Sequence, residues 1–295
     1  MFWYGQDTWR VTSKLTLNYG LRWEWVFPET VNAPGNGAQL DLRTGEMAVF
    51  GVGKTSMHGI QEMSWKHLAP RLGVAYTFGE KMVIRAGYGW SYSMATFGNT
   101  FGHNVTQNPP VLSIQNLNAA TNFGNVFDLQ TGPPDVVLPQ PNADGRFLLP
   151  NGIAAKSRPL TVVLPRVMAY NVTVQRQFGQ KFVAQAGYVG NVGRHMLANT
   201  GQNVNINAPA FIPGLTPNQA RPFFAKYGWT QNISHYCNCA TSQYDSFQAQ
   251  ATARAASGLY LQVNYTLQRS IVDNNDAYTF NYDRPLGRGT GDWFG

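Results

Sequence analysis

A repeated hairpin pattern constrains the fold of this 295-residue chain more than any other feature. In four places an extended segment enters a three-residue polar turn and leaves into a second extended segment. The turns are Thr12-Ser13-Lys14, Gly79-Glu80-Lys81, Gly179-Gln180-Lys181 and Ala256-Ser257-Gly258. Long irregular stretches separate the hairpins, roughly 28–64, 93–164 and 191–242. Tight turns at one end of the strands and long loops at the other are typical of transmembrane β-barrels.

The segment after the first turn shows the alternation of apolar and polar residues most clearly. Its apolar side chains, from Leu15 to Trp25, occupy the odd positions, and its polar residues, from Thr16 to Glu24, occupy the even ones. Side chains point alternately to the two faces of a sheet, so this strand has one apolar face and one polar face. About eleven residues tilted by about 45° span roughly 25 Å, the height of the apolar band of an outer-membrane barrel. Similar hairpins are predicted near 2–27, 65–92, 165–190 and 243–270.

Aromatic side chains concentrate at the two ends of the predicted strands. Some lie close to the long loops, and others lie beside the tight turns. Two aromatic bands of this kind mark the two boundaries between water and lipid in a membrane barrel. The predicted lipid-facing aromatic girdle consists of Trp23, Trp25, Tyr88, Trp90, Tyr92, Phe178 and Phe182.

The composition of the polar faces favours a membrane barrel over a soluble β-sandwich, whose strands also alternate. Only 13% of the residues are charged, against about 25% in a typical soluble domain. All but two of the 17 prolines lie in the long loops or the tail. The other two, Pro70 and Pro165, begin strands, where a missing N–H is tolerated. The sequence therefore predicts an all-β fold: an antiparallel up-and-down transmembrane β-barrel segment of about eight strands, with long extracellular loops.

We single out four charged residues of the polar faces, which line the lumen of the predicted barrel. They are Arg22, Glu24, Arg71 and Arg85. One interpretation makes them candidates for contact with a ligand. The other, which we favour from sequence, makes them an ion-paired lining that steadies the barrel wall.

Several other functions find no support in the sequence. The net charge of +7 is dispersed, with no basic run or RNA-binding motif, so nucleic acid is not an expected partner. The segment Gly51-Val52-Gly53-Lys54-Thr55 lacks the first glycine of a phosphate-binding loop. No catalytic motif occurs, and we expect no enzyme activity and no cofactor.

Two cysteines, Cys237 and Cys239, lie close to His235 in the last long loop. A structural zinc site needs four ligands, and only three lie here, so no metal is predicted. A disulfide in an oxidising compartment and a pair of thiols both remain open.

The ends of the chain indicate a fragment. Met1-Phe2 enters a strand directly, without an export signal. The tail from Asp273 to Gly295 is rich in Gly and Asn and is predicted to contain no closing strand. We therefore expect an internal piece of a larger protein.

The strand motifs, taken together, resemble those of TonB-dependent outer-membrane receptors, in particular the Oar-like group. The resemblance covers all eight predicted strands and little of the loops. Its motifs include Gln6-Asp7-Thr8-Trp9-Arg10-Val11, Leu15 to Glu24, Ala69 to Tyr76, Val83 to Gly89, Val174-Gln175-Arg176, Gly187 to His195 and Gln243 to Ser270.

This resemblance implies an outer-membrane location and a complete barrel of about 22 strands. It also implies a plug inside the barrel and a TonB box that contacts the energy-transducing TonB complex through an N-terminal part missing here. The extracellular loops would bind a solute, whose identity the sequence does not reveal, and the parent protein would import it.

Two alternatives remain open at this point. The chain could form a stand-alone eight-stranded barrel that serves as an adhesin or structural anchor. It could also be a soluble carbohydrate-binding β-sandwich, which would stay in solution without detergent. An open eight-stranded piece of a barrel would instead aggregate in water, because two strand edges and a lipid-facing surface would be exposed.

Overall fold

The computed structural model describes residues 1–93, 102–115, 117, 124–196, 204–236, 238–254, 258–274 and 287–290. The elements in chain order are β1 (Phe2–Arg10), β2 (Leu15–Glu24), β3 (Ala38–Asp41), β4 (Glu46–Val49), β5 (Leu68–Phe78), β6 (Met82–Tyr92), α1 (His103–Thr106), β7 (Ile114–Gln115), β8 (Arg146–Leu148), β9 (Ile153–Ser157), β10 (Arg166–Phe178), β11 (Phe182–Met196), β12 (Val204–Asn205), α2 (Phe224–Tyr227), β13 (Ile233–His235), β14 (Ala240–Arg254), β15 (Tyr260–Asn274) and β16 (Gly287–Thr290).

The dominant element is a nine-stranded antiparallel sheet, in the order β1-β2-β5-β6-β10-β11-β14-β15-β16. Each strand pairs with the next long strand along the chain, so the predicted up-and-down topology is confirmed. The sheet has one strand more than predicted, because β16 comes from the tail in which we expected none. β1 and β16 lie at the two edges, so the sheet is open, as a segment of a larger barrel would be.

The hairpin turns are staggered along the sheet. The β1–β2 ladder ends at Arg10↔Thr16, the β5–β6 ladder at Phe78↔Met82 and the β10–β11 ladder at Phe178↔Phe182. The second turn extends beyond the first, because Leu15, the first residue of β2, pairs with Tyr76, and β5 continues to Phe78. The third turn extends beyond the second in the same way, because Met82 pairs with Arg176, and β10 continues to Phe178. Such a stagger accompanies the strand tilt that closes a barrel.

Glycine opens two of these turns. Gly79 and Gly179 have φ angles of 63° and 60°, in the left-handed region that favours glycine. Three-residue hairpin loops commonly need one residue in this conformation. In the fourth predicted turn, Ala256 and Ser257 lie outside the described residues.

Among the described residues, the largest buried apolar cluster contains no residue of the large sheet. The apolar face of this sheet is open, and Leu72, Val263 and Leu267 are 56%, 57% and 61% exposed. A soluble sheet would bury such side chains, so this face needs an apolar surrounding. Neither α1 nor α2 is long enough to cross a membrane, and no other described helix is.

The hydrophobic core lies instead in the long loops, which fold together into one body that we call the loop assembly. One small sheet, β3-β4-β8, joins the first two loops, and another, β12-β13-β9-β7, joins the second and third. All three loops contribute to one buried cluster: Ala38, Leu40, Met47, Val49, Phe147, Leu149, Ile153, Ala155, Trp229 and Ile233. The described parts of the long loops are therefore folded around one core.

Candidate functional site

The four charged residues predicted to line the lumen lie on one face of the sheet, because directly paired residues share a face and alternate along each strand. Arg22 Nε lies 3.1 Å from Glu24 Oε1 and forms an ion pair. Arg85 Nη1 donates a hydrogen bond to Gln175 Oε1 at 2.9 Å. Arg71 lies between Gly20 and Gly89 of the neighbouring strands. Within the described residues, the one ion pair among these four joins Arg22 and Glu24, and contact of the four residues with a ligand stays a prediction.

A shallow recess of about 510 Å³ lies over strands β1, β2 and β5. Most of its lining belongs to the polar face, including Tyr4, Gln6, Asn18, Arg22 and Arg71. The space exists partly because Gly20 and Gly73 carry no side chain there. Hydroxyl, amide and guanidinium groups at such a surface can hydrogen-bond a polar solute.

Asn108 joins the first two loops of the loop assembly. Its side chain is fully buried, and Nδ2 lies 2.9 Å from each of the carbonyl oxygens of Ala38, Asn104 and Lys156. Its Oδ1 accepts a hydrogen bond from Lys156 N at 2.7 Å. A buried amide with partners on both loops holds their backbones in one arrangement.

Asn207 connects separate segments within the third loop. Its side chain is also fully buried, and Nδ2 donates to the carbonyl oxygens of Trp229 and Gln231 at 3.2 and 2.8 Å. Its Oδ1 accepts a hydrogen bond from Phe223 N at 3.1 Å. The segment after Asn207 projects as an apolar tip, where Phe211 is 82% exposed.

Two buried charged groups of the loop assembly, Asp41 and Arg158, have partners of opposite charge. The carboxylate of Asp41, only 1% exposed, contacts Arg43 Nη2 at 2.9 Å and Arg146 Nη1 at 3.3 Å. Hydrogen bonds from Arg43 hold the pKa of Asp41 below its usual value, despite the opposing effect of burial. Arg158 pairs with Glu29, and burial lowers the pKa of Arg158 to about 9, so the guanidinium stays protonated at neutral pH. These contacts of Asp41 with Arg146 and of Arg158 with Glu29 connect the first loop to the second.

One serine–histidine pair occurs in the loop assembly. Ser157 Oγ lies 2.8 Å from His235 Nδ1, and the two residues are direct partners of the parallel strands β9 and β13. Burial lowers the pKa of His235. Ser157 is fully buried, so its hydroxyl cannot meet a substrate. The pair therefore links the second loop to the third.

The remaining candidate ligands do not form a metal site in the described part of the chain. No group of three His, Cys, Asp or Glu residues comes together there. Cys239 is disulfide-bonded, which answers the question that the sequence left open for this residue. Cys237 lies outside the described residues.

At the loop end of the apolar face, four tryptophans form a cluster: Trp3, Trp23, Trp25 and Trp65. The ring centroids of Trp23 and Trp25 lie 4.9 Å apart, and those of Trp25 and Trp65 lie 5.3 Å apart. Trp23 Nε1 donates to the carbonyl oxygen of Trp65 at 2.8 Å. Trp3 and Trp65 are additions to the predicted girdle.

The other predicted girdle residues occupy both ends of the same face. Tyr88, Trp90 and Tyr92 lie on β6 towards the loops, and Tyr92 Oη donates to the carbonyl oxygen of Leu68 at 3.2 Å. Phe178 and Phe182 are direct partners beside a tight turn, with ring centroids 5.7 Å apart. Contact of these side chains with lipid stays a prediction.

A polar cluster on the apolar face escaped the sequence analysis. Asp245 Oδ1 accepts a hydrogen bond from Tyr170 Oη at 3.0 Å and another from Tyr188 Oη. Gln243 Nε2 donates to Asp245 Oδ2 at 2.8 Å, and Arg269 is the direct partner of Asp245 on β15. The sequence does contain a signal for this cluster, because Asp245 precedes the apolar Phe247 by two residues and therefore lies on the same face of the strand.

The chain has a distant similarity to parts of solved receptors and of an iron transporter. The siderophore receptor PirA from Pseudomonas aeruginosa matches 92% of this chain with 13% identity and a TM-score of 0.40, over 36% of its own length. The FrpB iron transporter from Neisseria meningitidis matches 91% with 13% identity and a TM-score of 0.42, over 25% of its length. A mutant of the ferric enterobactin receptor PfeA from Pseudomonas aeruginosa matches 92% with 12% identity and a TM-score of 0.45, over 29% of its length.

The chain therefore spans between a quarter and about a third of the lengths of these proteins. No curated protein matches it. A family model described as "Outer membrane beta barrel domain" matches residues 1–292, nearly the whole chain. This match and the open antiparallel sheet exclude the soluble β-sandwich, and they place the chain in the bacterial outer membrane. The chain belongs to the outer membrane beta barrel domain family.

Proposed function

We propose that this chain is part of the barrel of an Oar-like TonB-dependent receptor. In this proposal the loop assembly binds a solute outside the cell, and the protein imports it with energy supplied through TonB. The observation that carries the proposal is the loop assembly itself, because three loops folded around one core form a fixed extracellular surface beside a polar sheet face. The order of the strand motifs, which resembles that of the receptors, supports it.

The charges of the polar face favour an anionic solute. By strand register, this face carries five arginines and one glutamate among the residues of the described long strands: Arg10, Arg22, Arg71, Arg85, Arg254 and Glu24. Glu24 neutralises Arg22, and Arg85 bonds the neutral Gln175. The surplus of positive charge would attract an anion along the wall of the lumen.

The proposed mechanism contains no catalytic step. The loop assembly would bind the solute, and displacement of a plug through TonB would then open a path along the polar face. The TonB complex would contact a plug-bearing part of the protein and not the strands described above. Outer-membrane lipid would surround the apolar face.

Energy-dependent uptake tests the proposal. Cells with and without the full-length protein are grown in the same medium, and mass spectrometry measures which solutes each culture removes. We expect the protein to cause removal of at least one anionic solute, and a proton uncoupler to abolish this removal. We also expect Arg71→Gln with Arg85→Gln to slow uptake, and the matched pair Arg71→Lys with Arg85→Lys to retain most of it, because the charge is kept.

Two results would contradict the proposal. Identical removal of all solutes by both cultures would favour an adhesin or anchor. Removal that persists with the uncoupler would indicate a passive, porin-like channel.

A further inference from the structure

Two arginines face each other at the loop end of the apolar face. Arg166 of β10 and Arg194 of β11 are direct cross-strand partners. Arg166 shares its face with Trp90, and its Cζ lies 4.4 Å from the centroid of the Trp90 ring. Like charges directly opposite each other on a sheet repel, and the repulsion grows where the surroundings are apolar.

In the part that the structure describes, no opposite charge offsets this repulsion. No acidic side chain there forms an ion pair with Arg166 or Arg194. The Nε of Arg166 is buried and has no hydrogen-bond partner. Arg194 uses Nη1 to donate to the carbonyl oxygen of Gly193 at 3.1 Å, and among the described residues no other acceptor bonds its guanidinium. The pair therefore presents two positive charges, and the exposed guanidinium is that of Arg194.

The backbone beside Arg194 fixes this presentation. The β11–β14 ladder is irregular between Gly193 and Met196, and His195 between them has a φ of 54°, which is rare for a residue other than glycine. Bulges of this kind redirect side chains at the rims of barrels. Arg194 is exposed, so an outside molecule can reach it.

The surroundings of the pair suit a molecule with one charged and one apolar part. Trp90 and Tyr92 lie on β6 beside Arg166, and Met168 and Val192 form the next outward-facing pair towards the tight turns. Below this pair lie Tyr170 and Tyr188, and the face is then apolar from Val172 to Val174, before Arg176 and Phe178. An anion held by the arginines would thus sit at the loop end of a mainly apolar face, where the strands reach the boundary between lipid and water.

We propose that Arg166 and Arg194 form a binding site for the phosphate headgroup of a membrane lipid in the outer leaflet. Two guanidinium groups offer planar pairs of N–H donors that match the oxygens of a phosphate. The phosphate neutralises the repulsion, and the acyl chains cover Met168 and Val192. This inference rests on the apolar face being the lipid-facing one, and it is independent of solute import.

Lipid retention by the full-length protein tests the site. The protein is purified in detergent micelles, and native mass spectrometry measures binding of diphosphoryl lipid A and of the same lipid without phosphates. We expect binding of the phosphorylated form only, weakened by about tenfold or more in the double variant Arg166→Gln with Arg194→Gln, because two charge-assisted contacts are lost. Arg166→Lys with Arg194→Lys is expected to retain most of the binding.

Arg176→Gln is the matched control, because Arg176 lies on the same strand and face and its Cζ lies 5.1 Å from the Phe178 ring centroid at the opposite end. We expect this variant to bind like the wild type. The midpoint temperature of thermal unfolding is a second readout, which separates binding from folding. Without lipid, Arg194→Gln should raise this midpoint, because it removes the repulsion between the two arginines. With diphosphoryl lipid A, the same variant should unfold at a lower midpoint than the wild type. Equal weakening by Arg176→Gln, equal binding of the dephosphorylated lipid, or full competition by millimolar inorganic phosphate would each overturn the proposal.

Discussion

Replacing Ala249 by lysine is expected to prevent assembly of the sheet in the membrane or to weaken it severely. Ala249 lies near the middle of β14 and pairs with Ala186 and Tyr265, on the face that we assign to lipid. A lysine at the midplane of a bilayer on that face costs about 2–4 kcal/mol of folding free energy. This cost is a large part of the stability of an ordinary domain.

The neighbouring residue supplies the control. Gln248 lies on the polar face between Gly187 and Thr266, so Gln248→Lys should change the folding free energy by less than about 1 kcal/mol. Urea titration of the full-length protein in lipid vesicles, followed by the mobility shift of the folded barrel on electrophoresis, measures both variants. Equal costs for the two lysines would show that the two faces meet the same medium.

Replacing Trp229 by alanine is expected to unfold the loop assembly and to leave the large sheet intact. Trp229 is 1% exposed, its ring lies 4.4 Å from that of Tyr227, and Nε1 donates to the carbonyl oxygen of Leu149 at 3.1 Å. Loss of a buried tryptophan costs about 3–5 kcal/mol. The cost falls on the loop assembly, because the cluster around Trp229 contains loop residues only.

Hydrogen exchange resolved by peptide distinguishes the two regions. In Trp229→Ala, amides of β3, β8 and β13 should exchange much faster, whereas amides of β10 and β14 should stay protected. Phe211→Ala is the control in the same loop, because Phe211 is 82% exposed and should be removable without this effect. Faster exchange throughout the large sheet in Trp229→Ala would contradict the separation of the two regions.

The strands and tight turns could be predicted because their signal is local. The alternation from Leu15 to Trp25 sets both faces of β2 within one segment, and Gly79 and Gly179 mark turns by their own backbone freedom. The placement of the charged residues on the polar face could be predicted from the same alternation along each strand. No partner strand was needed for any of these inferences.

The loop assembly could not be predicted, because its contacts join residues far apart in the sequence. Trp229 meets Leu149, and Asn108 meets Ala38. The strands involved have between two and five residues, which is too short for a periodic pattern. The arginine pair at Arg166 and Arg194 required the register of β10 against β11, which only the folded sheet supplies.

The central claim is that the alternating strands cross the outer membrane with their apolar face towards lipid. The most direct test attaches an environment-sensitive fluorophore to Val172→Cys or to Thr173→Cys, with Cys237→Ser and Cys239→Ser, in the full-length protein in vesicles that contain a quencher-labelled lipid. Val172 is 49% exposed on the apolar face of β10, and Thr173 faces the opposite way. We predict strong quenching at 172 and little at 173. Equal quenching at both positions, or quenching at 173 alone, would contradict the assignment of the faces.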